Sequence, residues 1–318
     1  MPVIAVAGGT GNVGQTIVDA LLADKKYEVI VLSRNANEER AKELGVQILA
    51  VDYTDVVGLT KTLEDHNVHT LISAIVMWTK ENGAAEVNLI KATDASRTTK
   101  RMISSDWAAP MPSPDSPEGQ KHPASHLKHL AWTALKATTS LEEWTVFRCG
   151  VWLDYYVQHP SFESHFMPFS LVVDTASNKA AIPGDGNTKV SFIHSTDLAR
   201  FVVASLELSG WEHVTTLVGD KMTWNEFVGL VEGVKGTKFD VVYDDVEKLE
   251  RSEVTELPSH VFVYQVIPKP FLQAFLAAFG LWFTQGLYDL DERNALEKRL
   301  PGIRVRTARE LFEKAWGA

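Results

Sequence analysis

The amino-acid sequence predicts an α/β fold built on a doubly wound parallel sheet. Short β-branched runs alternate with stretches of helical periodicity through the first half of the 318-residue chain. The predicted strands are apolar along most of their length, which is typical of strands that are buried on both faces. A glycine-rich turn joins the first predicted strand to the first predicted helix. These observations indicate strand–helix–strand units with helices on both faces of the sheet.

The predicted strands and helices follow one another in a regular order. Most strands are bounded by turn residues, and we expect them at residues 3–7, 29–32, 46–51, 70–75, 101–104 and 145–148. We expect the intervening helices at residues 13–22, 57–63, 84–95 and 127–141. The loop 108–123 interrupts this order, because its five prolines exclude a helix and a central strand. It is either a flexible cover over a site at the carboxyl edge of the sheet or a plain surface connection.

The pattern becomes irregular after Gly150, which predicts a smaller C-terminal α/β lobe. We assign residues 1–150 to the first domain, with residues 190–210 returning to it as a strand and a helix. The lobe then consists of residues 151–189 and 211–318.

The lobe contains its own helix and strand signals. Capping-box patterns predict helices that begin after Thr223 and Thr307. A β-branched run predicts a strand at residues 239–243. The apolar, aromatic segment 271–283 predicts a buried helix, a lid or a dimer contact.

The turn after the first strand carries two overlapping glycine patterns. Residues 8–14 read G-x-x-G-x-x-G, and residues 9–14 fit G-x-G-x-x-G. Glycine lets the backbone turn tightly and approach a pyrophosphate, whose charge then meets the N–H groups at the start of a helix. Because a strand precedes this turn and an amphipathic helix follows it, the motif predicts a Rossmann-type dinucleotide site. The expected phosphate-binding residues are Gly8, Thr10, Gly11, Asn12, Val13 and Gly14.

The residues after the second strand indicate which dinucleotide binds. A site for NAD usually has an acidic residue there, whereas Arg34 stands at this point, 20 positions beyond Gly14. A guanidinium pairs well with a 2′-phosphate. We therefore expect NADPH (or NADP⁺) as the cofactor, the alternative for Arg34 being a solvated surface arginine.

The ends of the third and fourth strands add further candidate contacts. Asp52 and Tyr53 follow the third strand where an adenine edge would lie, although Asp52 is equally typical of a turn or a helix N-cap. Ser73 and Ala74 end the fourth strand with small side chains, as a backbone passing close to a cofactor ribose requires.

Composition excludes several other classes of protein. The net charge of −10 argues against a nucleic-acid-coating protein, which needs clustered Lys and Arg. The lone Cys149 cannot form an internal disulfide, and this suits a reducing compartment. The longest apolar stretch, 271–283, is shorter than the ~20 residues of a membrane span. We therefore expect a cytoplasmic protein that binds neither nucleic acid nor membrane, as a monomer or homodimer, with no metal at its site.

Several motifs together resemble one family. They are the glycine turn, Arg-Met-Ile-Ser-Ser-Asp-Trp at residues 101–107, Lys128, and the segments 144–155, 184–199 and 219–223. The chain is similar over nearly its whole length to the NmrA-like and isoflavone reductase-like group of the atypical short-chain dehydrogenase/reductase superfamily. That resemblance implies reduction of a phenolic or polyketide-like small molecule with NADPH, an active-site lysine and no catalytic tyrosine.

The catalytic residue implied by the resemblance is Lys128. No tyrosine stands four residues before a lysine, and Ala124 occupies that place before Lys128. A lysine there would hold the nicotinamide ribose and polarise a substrate oxygen or relay a proton, with His126 and His129 as flanking bases. The alternatives are a surface lysine and surface histidines.

The strand-five motif of the family usually reads Pro-Ser-Glu-Phe-Gly, whereas this chain has Ser-Ser-Asp-Trp-Ala at residues 104–108. We expect Ser104 and Val151 to line the cofactor, in addition to Lys128. The expected aromatic-substrate contacts are Ser105, Trp107, Trp152, Tyr155 and Tyr156, the last three being equally suited to a core.

Three functions are compatible with these residues. The first is an NADPH-dependent reductase of an aromatic, phenolic or polyketide-like metabolite, in which Lys128 manages the developing oxyanion. The second is a non-enzymatic regulator that senses NADP(H), and the third is an isomerase or cyclase on the same fold. The presence of Lys128 favours the enzyme over the sensor.

Overall fold

A seven-stranded sheet forms the centre of the first of two structural units. The computed structural model describes residues 1–120, 122–162 and 164–317. The first unit comprises Met1–Trp107, Met111–Arg148 and Leu198–Thr215, and the second comprises Ala108–Pro110, Cys149–Asp197 and Thr216–Ala318.

The elements are numbered in chain order. The strands are β1 Val3–Ala7, β2 Glu28–Ser33, β3 Gln47–Ala50, β4 Val68–Ser73, β5 Arg101–Ala108, β6 Glu143–Arg148, β7 Val151–Trp152, β8 Val173–Asp174, β9 Lys179–Pro183, β10 Lys189–Ile193, β11 Val214–Thr216, β12 Asp220–Thr223 and β13 Asp240–Asp244. The helices are α1 Asn12–Asp24, α2 Glu38–Leu44, α3 Val56–Asp65, α4 Lys80–Ala95, α5 Pro117–Gln120, α6 Pro123–Lys136, α7 Ser195–Ser205, α8 Trp224–Lys235, α9 Val246–Glu250, α10 His260–Val263, α11 Lys269–Thr284, α12 Leu296–Arg299 and α13 Ala308–Trp316. Two 3₁₀ turns, Leu153–Tyr155 and Pro160–Phe162, complete the described elements.

The large sheet has the strand order β11-β6-β5-β4-β1-β2-β3. The pairs β1–β2, β1–β4, β2–β3 and β4–β5 are parallel. Strand order therefore reverses beside β1, and an α/β sheet binds its ligands at the carboxyl edge next to such a reversal. The predicted α/β Rossmann-type fold is confirmed.

The strands of this sheet are apolar because both of their faces are covered. All five residues of β1 are buried. One face packs against helices α3, α4 and α6, through buried residues such as Leu59, Leu89 and Leu127. This packing places α4 and α6 beside the ends of β4 and β5.

Two local elements of the first unit differ from the sequence prediction. Helix α2 was not expected, since only Leu44 of its seven residues is buried and the apolar periodicity is weak. The prediction that the loop 108–123 excludes a helix is wrong for α5. Pro117 occupies the first helical position, where a missing N–H costs nothing, and the Ser116 hydroxyl accepts a hydrogen bond from the Gly119 N–H.

The second unit contains two three-stranded sheets, with the orders β12-β10-β7 and β13-β9-β8. Both predicted capping boxes are present, at Thr223 with Glu226 and at Thr307 with Glu310. The apolar segment forms α11, in which eight residues are buried. The buried-helix interpretation of residues 271–283 is therefore the one observed.

The prediction that residues 190–210 return together to the first domain is wrong for the strand. β10 pairs with β7 and β12 in the second unit, and the chain joins the first unit only from Leu198. The reason is that strand propensity does not specify which sheet edge a strand completes.

Across residues 1–120, 122–162 and 164–317, no helix is both long enough and apolar enough to cross a membrane.

Candidate functional site

The glycine turn folds back on its own backbone. Gly8 has a φ of +74°, and its N–H donates to the Leu32 carbonyl at 3.2 Å. The Gly11 N–H donates to the Gly8 carbonyl at 3.0 Å. A Cβ added to Gly14 would lie 2.2 Å from that same carbonyl oxygen, so glycine is required there.

The start of α1 is open to an anion. Gly11 is the N-cap residue of α1 and has no side chain that could accept a hydrogen bond from the first helical N–H groups. A Cβ added to Gly11 would approach only the Gly8 oxygen, at 3.4 Å. The turn therefore presents backbone donors and space at a helix N-terminus, which is what a phosphate needs.

Arg34 is exposed and lies directly after β2. The hydroxyl of Tyr53 donates to the Leu32 carbonyl at 2.9 Å, which fixes its ring beside the end of the same strand. Burial raises the pKa of Tyr53, and the positive charge of Arg34 opposes that rise. Tyr53 thus shares the Leu32 carbonyl with the Gly8 N–H, and Arg34 lies within electrostatic range of Tyr53.

Asp52 closes a turn. Its Oδ1 accepts hydrogen bonds from the Thr54 N–H at 2.8 Å and from the Thr54 hydroxyl at 2.7 Å, and these bonds lower the pKa of Asp52. The helix N-cap is Asp55 instead, whose side chain accepts from the Gly58 N–H. The turn interpretation of Asp52 is therefore observed.

Ser73 and Ser104 direct their hydroxyls to a buried carboxylate. Ser73 Oγ lies 2.5 Å from Glu86 Oε2, and Ser104 Oγ lies 2.6 Å from Glu86 Oε1. The Ser105 N–H donates to the same Oε1 at 3.0 Å. Burial raises the pKa of Glu86, while these three hydrogen bonds act in the opposite direction.

Glu86 joins the two strands where their backbone pairing ends. The β4–β5 ladder pairs Ile72 with Ile103 at its carboxyl end. Beyond this pair, side chains connect the two strands. Glu86 binds both of them, the Ser105 hydroxyl donates to the Ile75 carbonyl at 2.8 Å, and the Trp107 indole N–H donates to the Ser73 carbonyl at 2.9 Å.

Sequence reasoning missed Glu86, although a signal was available. The residue shares a helical face with Leu89 and Ile90, three and four positions on, and both are buried. A carboxylate on the apolar face of a helix indicates a buried polar contact.

Lys128 forms part of a buried cluster of charges. Its Nζ lies 2.7 Å from Asp106 Oδ1, and Arg148 NH2 lies 2.7 Å from Asp106 Oδ2. The Trp132 indole N–H also donates to Oδ2, at 3.2 Å. The Lys128 side chain is 13% exposed and that of Asp106 is 3% exposed. Lys128 is therefore not a solvated surface lysine.

Asp106, Arg148 and Trp132 were missed as site residues. Asp106 stands in the strand-five motif, and its alternation with Ser104 places both side chains on one face of β5. Only Lys128 of the cluster has an assigned role in the sequence prediction.

Helix α6 carries Lys128 and begins at a buried histidine. His122 Nδ1 accepts the Ala124 N–H at 3.1 Å and caps the helix. Burial, with a smaller contribution from the charge of Lys128, lowers the pKa of His122 to about 4. A cavity of about 490 Å³ lies between helix α6, where His126 and His129 line it, and the preceding residues Pro114, Asp115, Gly119, Gln120 and His122.

The low pKa of His122 predicts acid sensitivity. The unfolded chain protonates this ring near pH 6.5, whereas the folded chain resists until about pH 4, so stability falls as the pH drops through this interval. A fall in pKa from 6.5 to about 4 corresponds to roughly 3 kcal/mol of stability.

We expect His122→Asn to keep the helix cap and to remove this part of the acid sensitivity. Urea unfolding at pH 7 and pH 4 measures the difference. His129→Asn, at an exposed position of the same helix, is the control and should titrate like the parent protein. An equal loss of stability in the parent and in His122→Asn would contradict the assignment.

Trp107 lies inside the first unit. It is 8% exposed, and its ring stacks on Phe147 with centroids 5.4 Å apart.

Ala74 lies against Gly8, since a Cβ on that glycine would be 2.9 Å from the Ala74 carbonyl oxygen.

The other predicted substrate residues lie in the second unit. The Trp152 ring is 5.0 Å from that of Phe166, and Tyr155 also contacts Phe166. Tyr156 is 2% exposed and packs on Phe227 with centroids 4.9 Å apart, as a core residue does. Val151 pairs with Phe192 of β10.

Among the described residues, no group of three His, Cys, Asp or Glu side chains is placed to hold a metal ion.

Comparison with known proteins adds the following findings. Residues 2–300 match the model of the NmrA-like family. Oxidoreductase BOA1 of Botryotinia fuckeliana is 33% identical over 285 residues, which is 90% of this chain and 89% of that protein. The expectation that the chain is an oxidoreductase agrees with this relative.

Two solved structures share the fold. The complex of leucoanthocyanidin reductase with NADPH from Vitis vinifera has a TM-score of 0.72 and 19% identity, and covers 98% of both chains. The structure of AtPrR2 with NADP⁺ and (+)-pinoresinol has a TM-score of 0.71 and 20% identity, and also covers 98% of both chains. Identities this low show a common fold and no more.

Proposed function

The chain belongs to the NmrA-like family and is an oxidoreductase, and we propose that it transfers a hydride from NADPH to an aromatic, phenolic or polyketide-like small molecule. The observation that carries the proposal is the position of Lys128. Its ammonium is held by a buried carboxylate at the end of β5, in the unit that also contains the glycine turn.

The first unit fits the phosphates of the cofactor. Gly8, Gly11 and Gly14 form a turn whose space a Cβ would fill, at the N-terminus of α1. Thr10, Asn12 and Val13 belong to the same turn, and we assign their backbone groups to the pyrophosphate. NADPH, when bound, supplies the hydride.

Arg34 holds the 2′-phosphate in this proposal, with Tyr53 and Asp52 at the adenine end of the site. The exposed position of Arg34 directly after β2, within electrostatic range of Tyr53, supports this assignment. It also explains a preference for NADPH, because NADH offers no phosphate to the arginine.

Arg34→Ala should therefore weaken NADPH binding far more than NADH binding. A lost hydrogen bond to a charged group costs about 1.5–3 kcal/mol, which is roughly a 10- to 150-fold change in Kd for NADPH. Titration of both cofactors by fluorescence measures the ratio. Arg40→Ala is a matched control, because Arg40 is held by Glu43 of its own helix α2 and by Gln15 of α1. Equal weakening of both cofactors by Arg34→Ala would show that Arg34 does not contact the phosphate.

Lys128 acts on oxygen atoms in this proposal. An ammonium has three N–H groups, and Asp106 engages one of them. We assign the others to the nicotinamide ribose and to the substrate oxygen, which gains negative charge as the hydride arrives. A positive donor fixed in advance stabilises that charge in the transition state.

The remaining residues at the ends of β4 and β5 serve the cofactor and substrate indirectly. Ser73 and Ser104 are bound to Glu86 and hold the strand ends, and we assign the residues that follow them, Ala74 and Ser105, to the cofactor and to the substrate respectively. Trp107 holds the same strand ends together, because its indole N–H donates to the Ser73 carbonyl. Val151, Trp152, Tyr155 and Tyr156 stay predictions for the second unit, as do a cytoplasmic location and a monomeric or homodimeric state.

A labelled cofactor tests the proposal and separates it from an isomerase or a sensor. The protein is incubated with NADPH deuterated at nicotinamide C4 and with phenolic ketones, enones and benzylic ethers, and the products are analysed by mass spectrometry. A reductase transfers deuteride from C4 to the substrate carbon and oxidises NADPH to NADP⁺. A rearranged product without label indicates an isomerase or cyclase. Cofactor binding with no product from any substrate indicates a sensor. An unlabelled rearranged product or the absence of any product would contradict the reductase proposal.

A further inference from the structure

Asp106 is the centre of the charge cluster around Lys128. The carboxylate is almost completely buried, and both of its oxygens are engaged by positive or N–H donors. A buried carboxylate stabilises a fold only if its ion pairs and hydrogen bonds compensate the loss of hydration, so a buried ion pair is by itself weak evidence of a stabilising role.

The backbone on which Asp106 stands is fixed from both sides. The preceding residue, Ser105, donates its N–H to Glu86 and its hydroxyl to the Ile75 carbonyl. The following residue, Trp107, donates its indole N–H to the Ser73 carbonyl. The position of the Asp106 Cα is thus set by β4 and α4, independently of Lys128.

The carboxylate itself is oriented by partners other than the lysine. Arg148 and Trp132 both bind Oδ2, at 2.7 and 3.2 Å. Rotation of the carboxylate would break these contacts, so Oδ1 has one direction left, and Lys128 Nζ lies there at 2.7 Å. The lysine side chain has four rotatable bonds, and this contact restricts their rotation before any ligand binds.

We propose that Asp106 is a positioning residue for the reduction: it holds the Lys128 ammonium in its reactive place, and Arg148 and Trp132 hold the carboxylate. The inference rests on the proposed function of Lys128. Asp106 does not itself touch the substrate or cofactor. Its effect on the reaction passes through the lysine, and this coupling is what distinguishes the proposal from a purely structural role.

A double-mutant cycle measures that coupling. Asp106→Asn should lower kcat about 10- to 100-fold, since a misplacement of about 1 Å costs a factor of this size. It should raise the Kd of NADPH by less than Lys128→Ala does, because the glycine turn is untouched and the ammonium, although displaced, is still present. In a Lys128→Ala background, the same substitution should change kcat by less than about twofold.

Three further variants keep the test clear of folding defects. Asp106→Glu restores the charge and should recover most of the lost kcat. Trp132→Phe removes one hydrogen bond to Oδ2 and keeps an aromatic ring against Trp144, so it should lower kcat slightly, and only when Lys128 is present. Asp94→Asn is the matched structural control, because Asp94 accepts the N–H groups of residues 139, 140 and 141. It should lower the Tm and leave kcat unchanged.

Two outcomes would overturn the inference in different ways. If Asp106→Asn or Trp132→Phe lowers kcat by the same factor with and without Lys128, the effect does not pass through the lysine and the inference alone fails. If Lys128→Ala retains the parent kcat, the proposed role of the lysine fails and the inference falls with it.

Discussion

Replacement of Lys128 with alanine should lower kcat by about 100- to 1000-fold, the cost of removing one preorganised donor from a developing oxyanion. The substitution removes an interaction that grows as the substrate oxygen gains charge, so the loss falls on the transition state. The Kd of NADPH should rise by about 10- to 150-fold at most, since the lysine supplies at most one charge-assisted hydrogen bond to the ribose.

The variant should fold. Removal of the lysine leaves Asp106 with Arg148 and Trp132, so the buried carboxylate keeps a cation and an N–H donor. Without these partners an uncompensated buried charge would cost about 3–5 kcal/mol. Urea unfolding checks this directly, and single-turnover measurements with bound NADPH separate the hydride step from product release.

Lys136→Ala is the control for the loss of a lysine from the same helix. Lys136 lies eight positions beyond Lys128 on α6 and is exposed. Its substitution should leave kcat unchanged. A parent-like kcat in Lys128→Ala would exclude the lysine from the hydride-transfer step, whatever the state of the cofactor site.

The sequence predicted the parts of the molecule that depend on neighbours along the chain. The glycine turn is one example, because the glycines, the strand before them and the helix after them lie within 24 residues. The capping box at Thr223 is another, since its partner Glu226 is three positions away. Local sterics and local hydrogen bonds determine both, so a single sequence contains the required information.

The contacts that the sequence did not predict join residues that are far apart along the chain. Glu86 meets Ser104 across 18 positions, and Lys128 meets Asp106 across 22. No spacing rule links such residues, because the helices α4 and α6 bring them together through the packing of their apolar faces. The misplaced β10 has the same cause: its sequence specifies a strand, whereas its partners β7 and β12 are chosen by the tertiary fold.

Gly14→Ala should abolish most NADPH binding, in contrast to the usual effect of this substitution in a helix. Alanine normally stabilises a helix interior relative to glycine by about 1 kcal/mol. At Gly14 the added Cβ would lie 2.2 Å from the Gly8 oxygen, 2.8 Å from the Gly8 carbonyl carbon and 2.9 Å from the Gly9 Cα. All three atoms belong to the backbone, so only an opening of the turn relieves the clash. We expect a loss of about 1–3 kcal/mol in stability and at least a 100-fold rise in the Kd of NADPH.

Two other glycines turn this result into a test of the phosphate site. Gly229→Ala, in α8, meets no atom within 4 Å and should leave NADPH binding unchanged while stabilising the protein slightly. Gly11→Ala meets only the Gly8 oxygen, at 3.4 Å, so the empty protein should lose no more than the roughly 1 kcal/mol that alanine costs at an N-cap. Its Cβ would occupy the space where a phosphate approaches the N-terminus of α1, and NADPH binding should still weaken. Because Gly11→Ala changes the ligand space and not the fold, normal NADPH binding by this variant would show that the phosphates lie elsewhere, even if Gly14→Ala behaves as expected.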